Sequence, residues 1–181
     1  KIQSLRDIIH SLSTMEKCRP EPLGKICIQE HTPPRHFLVR DIPPLHVGNP
    51  DFALRLLEQR KVLLGEMPPI QTEYSFGATV SLSGYQSSGD LCYTGILLDP
   101  GPYGDAPPPG LVEFPAGYYA SIRFHRDVTQ PEDAYKALSE FLTAHHFRCD
   151  DTILESGIDP SFSSISRISE LTELQIHIYL D

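Results

Sequence analysis

The sequence predicts an α+β fold. It is expected to be built from duplicated strand-helix-strand-strand modules related by a pseudo-twofold, with antiparallel sheets, helices packed on them and a central ligand groove. Three observations carry this. Short runs of β-branched, aromatic and polar residues alternate with period two, the pattern of half-buried strands. Two amphipathic stretches each open with a proline. Finally, laying Pro50-Asp51-Phe52-Ala53 on Pro131-Glu132-Asp133-Ala134 aligns proline, alanine and acidic positions, and further along brings Arg55 onto Lys136 and Leu57 onto Leu138. A chain of 181 residues is long enough to bury the core such a pair of modules needs. Neither half alone has a sheet large enough to bury its helix and both edges, so the halves are expected to pair side by side.

In chain order, residues 1–17 come first. Ile2, Leu5, Ile9 and Leu12 follow a/d coiled-coil spacing, too short a run to be stable alone. The segment is expected to be the end of a longer linker or dimerisation helix, and the start at Lys1 to mark a cut chain; a helix docked on its own domain is the alternative. Residues 18–24 break it with Pro20, Pro22 and Gly24. Lys25–Glu30 and His36–Asp41 read as strands around Thr32-Pro33-Pro34. A helix is predicted over 51–64, with Asn49 as N-cap, Pro50 at its first position, and Phe52, Ala53, Leu56, Leu57, Leu63 and Leu64 on one face. Glu73–Ser83 and Leu91–Leu98 read as strands joined by the glycine-bounded hairpin loop GYQSSGD. The stretch 99–110, rich in proline and glycine, is read as a polyproline-like loop.

The second half opens with strands Leu111–Phe114 and Tyr118–His125. A helix from Pro131 follows, with Ala134, Leu138, Phe141, Leu142 and His145 on one side. Thr152–Ile158 and Glu170–Leu180 close the chain as strands. Leu174, Ile176, Ile178 and Leu180 alternate with polar neighbours and predict a strand buried on one face. The division is therefore residues 25–181 as one domain, with a first repeat about 25–98, the loop 99–110, and a second repeat about 111–181.

Charge and composition exclude several functions. With 15 Lys+Arg against 24 Asp+Glu the net charge is −9, and a duplex-binding surface needs basic residues to replace counterions. Contact with DNA is expected only through an N-terminal domain outside this chain. No run approaches the roughly 20 apolar residues of a membrane span. Cys18, Cys27, Cys92 and Cys149 form no C-x-x-C pair, which favours reduced thiols in the cytoplasm and no zinc. The adjacent pair His145-His146 would diverge by about 100° on a helix and cannot chelate. No nucleotide-binding glycine loop or nucleophile elbow occurs, so no cofactor, metal or catalytic residue is assigned.

Several segments together resemble one family. KICIQEHTPPRHFLVR, GYYASIRFHRD with its following helix, ILES and ELTELQIHIYL, in that order, resemble the GyrI-like effector-binding domains found in MerR-family multidrug-sensing transcription regulators. The matching positions are Tyr119-Ala120 before the second helix, Glu155 in the next strand and Thr172-Glu173 in the last. The resemblance implies a pocket of aromatic rings around one glutamate that binds a lipophilic cation, and an upstream DNA-binding domain joined through a dimerisation helix, hence a homodimer. The chain departs from the family at Asp127, at Ser156-Gly157 and at His177, and it has no Trp, which leaves any aromatic wall to Tyr and Phe.

The residues also point to Glu155 independently. It follows Ile153-Leu154 in a strand whose pattern does not call for a carboxylate, and a buried carboxylate needs a cation to stay charged. Tyrosine faces would add cation–π attraction to a cationic guest. The plainer alternative is a solvated Glu155, or one paired with Arg123 or Arg167. Tyr119 and Tyr93 lead the aromatic candidates, followed by Tyr118, Tyr85 and Tyr74, and Glu73 is a second acidic candidate. The expected function is effector sensing, with a small molecule as partner and no catalysis. The alternatives are a small hydrolase with Glu155 as base, and a haem- or tetrapyrrole-binding protein of related fold.

Overall fold

A computed structural model describes residues 23–66, 75–100, 107, 109–126, 129–157 and 171–179. The predicted helix in 1–17, most of the loop 99–110, and both Glu73 and Tyr74 lie outside these residues. The elements are β1 (Ile26–His31), β2 (Arg35–His46), α1 (Phe52–Glu66), β3 (Ser75–Ser81), α2 (Leu82–Ser88), β4 (Cys92–Asp99), β5 (Val112–Phe114), β6 (Gly117–His125), α3 (Pro131–Ala144), β7 (Arg148–Cys149), β8 (Thr152–Gly157) and β9 (Leu171–Tyr179). The strands form one curled antiparallel sheet, a half-barrel, in the order β1-β6-β9-β8-β3-β4-β2-β5, with β7 on β9.

That order has a geometric consequence. β1 ends one side of the sheet and β2 lies next to the other end, yet only residues 32–34 connect them. Four Cα–Cα steps of 3.8 Å cannot span more than about 15 Å. The sheet must therefore curl until its two ends approach. One face then carries the helices and the other encloses a lumen.

The helix face holds the main core. Leu63 of α1 and Ala134, Tyr135, Leu138 and Leu142 of α3 pack on Ala78, Ile96, Ile122, Ile153, Leu174 and Ile176 of the strands. The lumen face carries a smaller apolar cluster of Phe37, Leu97 and Leu154, flanked by Val39 and Phe114. This corrects the expectation for the last strand. Leu174, Ile176 and Ile178 are buried as predicted, but Glu173 and Gln175 between them are buried too, because curling closes off the second face.

Four further corrections concern local structure. The predicted hairpin loop after β3 is helix α2. Its first N–H groups are satisfied from a distant turn: the Leu82 N–H donates to the Asp151 carbonyl, the Ser83 N–H to Asp151 Oδ1, and the Gly84 N–H to Ser81 Oγ. Gly89 ends it in the left-handed region at φ 75°, where glycine carries no Cβ penalty. A single-sequence reading cannot see a cap supplied by Asp151. β2 runs on through Pro43-Pro44, which fall where its pairing with β4 slips between Asp41 and Leu45 and no backbone donor is required. In α1, Leu57 is exposed instead of buried, while Arg60 turns inward. In α3, His145 is the exposed C-cap and Tyr135 takes the buried position.

The α2 cap gives a stability prediction. Burial raises the Asp151 pKa, but hydrogen bonds from the Ser83 N–H and the Ser81 hydroxyl outweigh it and hold the carboxyl below its usual range. A depressed folded pKa contributes stability above the unfolded value, lost as pH falls through the folded one. Asp151→Ala is expected to cost about 1–2 kcal/mol at pH 7, as loss of a helix cap does. Urea midpoints measured down the acid limb should show the variant and the parent chain converging.

Candidate functional site

Glu155 stands on β8 between Ala78 of β3 and Leu174 of β9, with its side chain on the helix face. It is 5 % exposed, so its charge is not met by water. Three groups meet it instead. The Tyr93 hydroxyl donates to Oε1 at 2.6 Å and the Tyr135 hydroxyl to Oε2 at 2.7 Å. The Arg126 guanidinium forms an ion pair with Oε1. Arg126 is itself oriented by hydrogen bonds from Nη2 to the Tyr93 hydroxyl at 2.9 Å and from Nε to Thr172 Oγ1 at 3.2 Å.

Each member comes from a different element, and the local structure explains its placement. Tyr93 lies opposite Val80, just before a register shift in the β3–β4 pairing, and points to the helix face. Tyr135 opens the second turn of α3, on the same face as Leu138 and Leu142, so the helix packs it onto the sheet. Arg126 follows the last residue of β6, where the chain leaves the sheet edge. Its side chain is 29 % exposed against 6 % for Glu155, so the cation reaches into the site from its rim.

Aromatic and cationic groups surround this network. The Phe52 ring meets Tyr93 at 5.3 Å, and the Tyr85 ring meets Tyr135 at 5.8 Å. Arg60 of α1 lies over Phe76 at 5.1 Å, and its buried Nε has no hydrogen-bond partner among the described residues. Burial, and then the charge of Arg126, push the Arg60 pKa down, against the pull of Tyr93. Burial drives the pKa values of the Tyr93 and Tyr135 phenols well above the ordinary tyrosine value, with the Arg126 charge opposing in both.

The predicted site residues thus separate. Glu155 and Tyr93 meet directly, and Tyr85 reaches the same cluster through Tyr135. Tyr119 is fully buried but on the opposite face, since successive residues of a strand point to opposite sides. Its hydroxyl donates to the Pro115 carbonyl at 2.8 Å, and its ring lies among His31, His177 and Arg35. Tyr118 is exposed at the start of β6. Glu155 pairs with Arg126, and Arg123 pairs with Glu173 at 3.0 Å. Tyr135, Arg126 and Arg60 are not among the expected site residues, and the sequence marks Thr172 only as a motif position of the last strand. Tyr135 left a trace in its spacing to Leu138 and Leu142.

Among the described residues no group of three His, Cys, Asp or Glu side chains could hold a metal, and no helix is long and apolar enough to cross a membrane. Among the described residues Cys27, Cys92 and Cys149 form no disulfide. An open depression of about 560 Å³ lies between α2 and α3 beside Tyr85, but its other walls are exposed polar residues such as Gln86, Lys136 and Glu140. The enclosed cluster around Glu155 is the stronger candidate.

No family model matches the sequence, and no curated protein matches it. The fold is shared with EcmrR. A cryo-EM structure described as the EcmrR–DNA complex in EcmrR-RPo aligns with a TM-score of 0.54 at 15 % identity. The alignment covers 98 % of this chain and 66 % of the EcmrR chain, so this chain spans about two thirds of that protein's length. Similarity at this level shows a common fold.

The raised phenols predict behaviour in alkali. A tyrosine whose folded pKa is raised keeps its proton after the unfolded chain, near pH 10, has lost it. The stability from such groups is complete below about pH 10 and is lost as pH rises through the folded values. Absorbance titration at 295 nm should show Tyr93 and Tyr135 ionising only as the chain unfolds, and Tyr135→Phe should remove one of these late phenols.

Proposed function

We propose that this chain is the effector-sensing domain of a transcription regulator of the MerR type, and that its effector is a lipophilic small molecule bound at Glu155. The observation that carries the reading is the buried Glu155 carboxylate held by two phenols and one arginine whose side chain enters from the rim. A carboxylate in such a place is retained at a cost in desolvation, which a binding role explains better than a packing role. Arg126 occupies the position of the effector's cation. A lipophilic cation would displace it, bring apolar bulk out of water, and gain the Tyr93 and Tyr135 hydroxyl groups as second neighbours of its charge.

The sheet order supports the duplicated architecture expected from the sequence. From the central β3–β8 pair it runs β3-β4-β2 to one side and β8-β9-β6 to the other, with α1 and α3 in equivalent places in the chain. The shared fold with EcmrR, solved on DNA, supports a regulator. In this reading the acidic chain meets DNA through a separate domain, the full protein is a cytoplasmic homodimer, and an effector acts by binding one placement of the modules better than another. The reading assigns no catalytic step, because Glu155, the base a hydrolase would use, is already tied to three donors.

Calorimetry with tetraphenylphosphonium tests this. Glu155→Gln should weaken binding at least tenfold, and leave binding of a neutral lipophile unchanged. Arg126→Gln should destabilise the free chain by about 3–5 kcal/mol, the cost of stranding a buried charge, yet bind the probe more tightly because nothing must be displaced. Equal losses for charged and neutral probes in Glu155→Gln, or weaker cation binding in Arg126→Gln, would refute the reading.

A further inference from the structure

The lumen face carries a second polar cluster that the Glu155 reading does not use. Arg35, the first residue of β2, reaches across the curled sheet, and its Nη1 donates to Gln175 Oε1 on β9 at 2.5 Å. Its guanidinium lies 4.8 Å from the Tyr119 ring centroid and 5.6 Å from that of Phe37. The remaining two nitrogens, Nε and Nη2, are buried and have no hydrogen-bond partner among the described residues. Those two share one edge of the guanidinium plane, the fork that a carboxylate fills with two parallel hydrogen bonds. A second orphan lies close by. Ser121 is directly opposite Gln175 in the β6–β9 ladder, and its buried hydroxyl also has no partner among the described residues.

Buried polar groups are nearly always satisfied, and two unsatisfied nitrogens on one fork point to a common acceptor. We propose that the lumen is a second binding site, for a monocarboxylate with a flat apolar body, in which the Nε–Nη2 edge of Arg35 receives both carboxylate oxygens. Tyr119 and Phe37 offer ring faces to the body, and Ser121 offers a further donor. The neighbouring Leu97 and Leu154 are apolar, and the buried Glu173 on the same face, paired with Arg123, already carries one negative charge, so a single further negative charge is favoured over the two of a phosphate. The site takes the opposite charge from the Glu155 site and lies on the other face of the sheet. It stands whether or not Glu155 binds an effector. Tyr119, the first aromatic residue that the sequence singles out, belongs to this lumen and not to the Glu155 cluster.

Benzoate is the probe, with benzamide as its uncharged counterpart, titrated into the full chain at low ionic strength. Saturable benzoate binding is expected, at least tenfold weaker for benzamide. Both Arg35→Gln and Arg35→Lys should weaken benzoate at least tenfold, since lysine keeps the charge but lacks the fork. Lys61→Gln, an exposed charge on α1 outside both sites, should leave it unchanged. As a readout on the unaltered chain, independent of how the variants fold, the Arg35 Nε–H resonance should move downfield with benzoate and not with benzamide. Four results would each overturn the proposal: no saturable benzoate binding, as for a fork solvated by water; an unmoved Nε–H; full affinity in Arg35→Lys; or loss of benzoate binding in Lys61→Gln.

Discussion

Everything distinctive about this molecule depends on a short link. Residues 32–34 tie β1, at one end of a nine-stranded sheet, to β2 near the other, and so force the sheet to curl. A flat sheet could cover one face with helices and leave the other to water. A curled one buries both, and each strand must then supply buried side chains on alternate and on intervening positions. β9 does this with Leu174 and Ile176 toward the helices and Glu173 and Gln175 toward the lumen.

Burying both faces brings charge inside on both. On the helix face the charge of Glu155 is met by Arg126 and by two phenols. On the lumen face Glu173 is met by Arg123, although burial still raises its pKa above the usual carboxylate range. Both pairs are built from cations on or just after β6, which lies beside β9 in the sheet. The two differ in access. Arg123 is held within the ladder, facing Glu173 as its cross-strand partner, whereas Arg126 stands past the strand's end and approaches from the rim. The proposed reading rests on that difference: the Glu155 pair would exchange one cation for another, whereas the Glu173 pair lies within the ladder.

The two halves of the sheet meet at the β3–β8 pairing, where Gly77 lies opposite Ser156. A Cβ at Gly77 would run into the Glu155 carbonyl and the Leu97 side chain, so the close approach of these strands requires glycine. The backbone that carries Glu155 is thereby fixed at the join between the halves. In the proposed reading a guest there would touch Tyr93 from one half and Tyr135 and Arg126 from the other, so that its binding would bear on how the two halves of the sheet are placed.

By itself the sequence determined the strands other than β7, two of the helices and the candidate status of Glu155 and Tyr93. Period-two alternation, proline at helix starts and a carboxylate in an apolar strand are local signals that survive into the fold. The tertiary structure alone decided the rest. Helix α2 forms because Asp151, far along the chain, satisfies its first N–H groups. Tyr119 parts from Glu155 because the pleat sends it to the opposite face, and Gln175 is buried because the sheet curls. The pairing of Glu155 with Arg126, while Arg123 meets Glu173, was settled by where β6 ends beside β9. None of these choices is written in spacing, since each depends on which distant strand the chain meets.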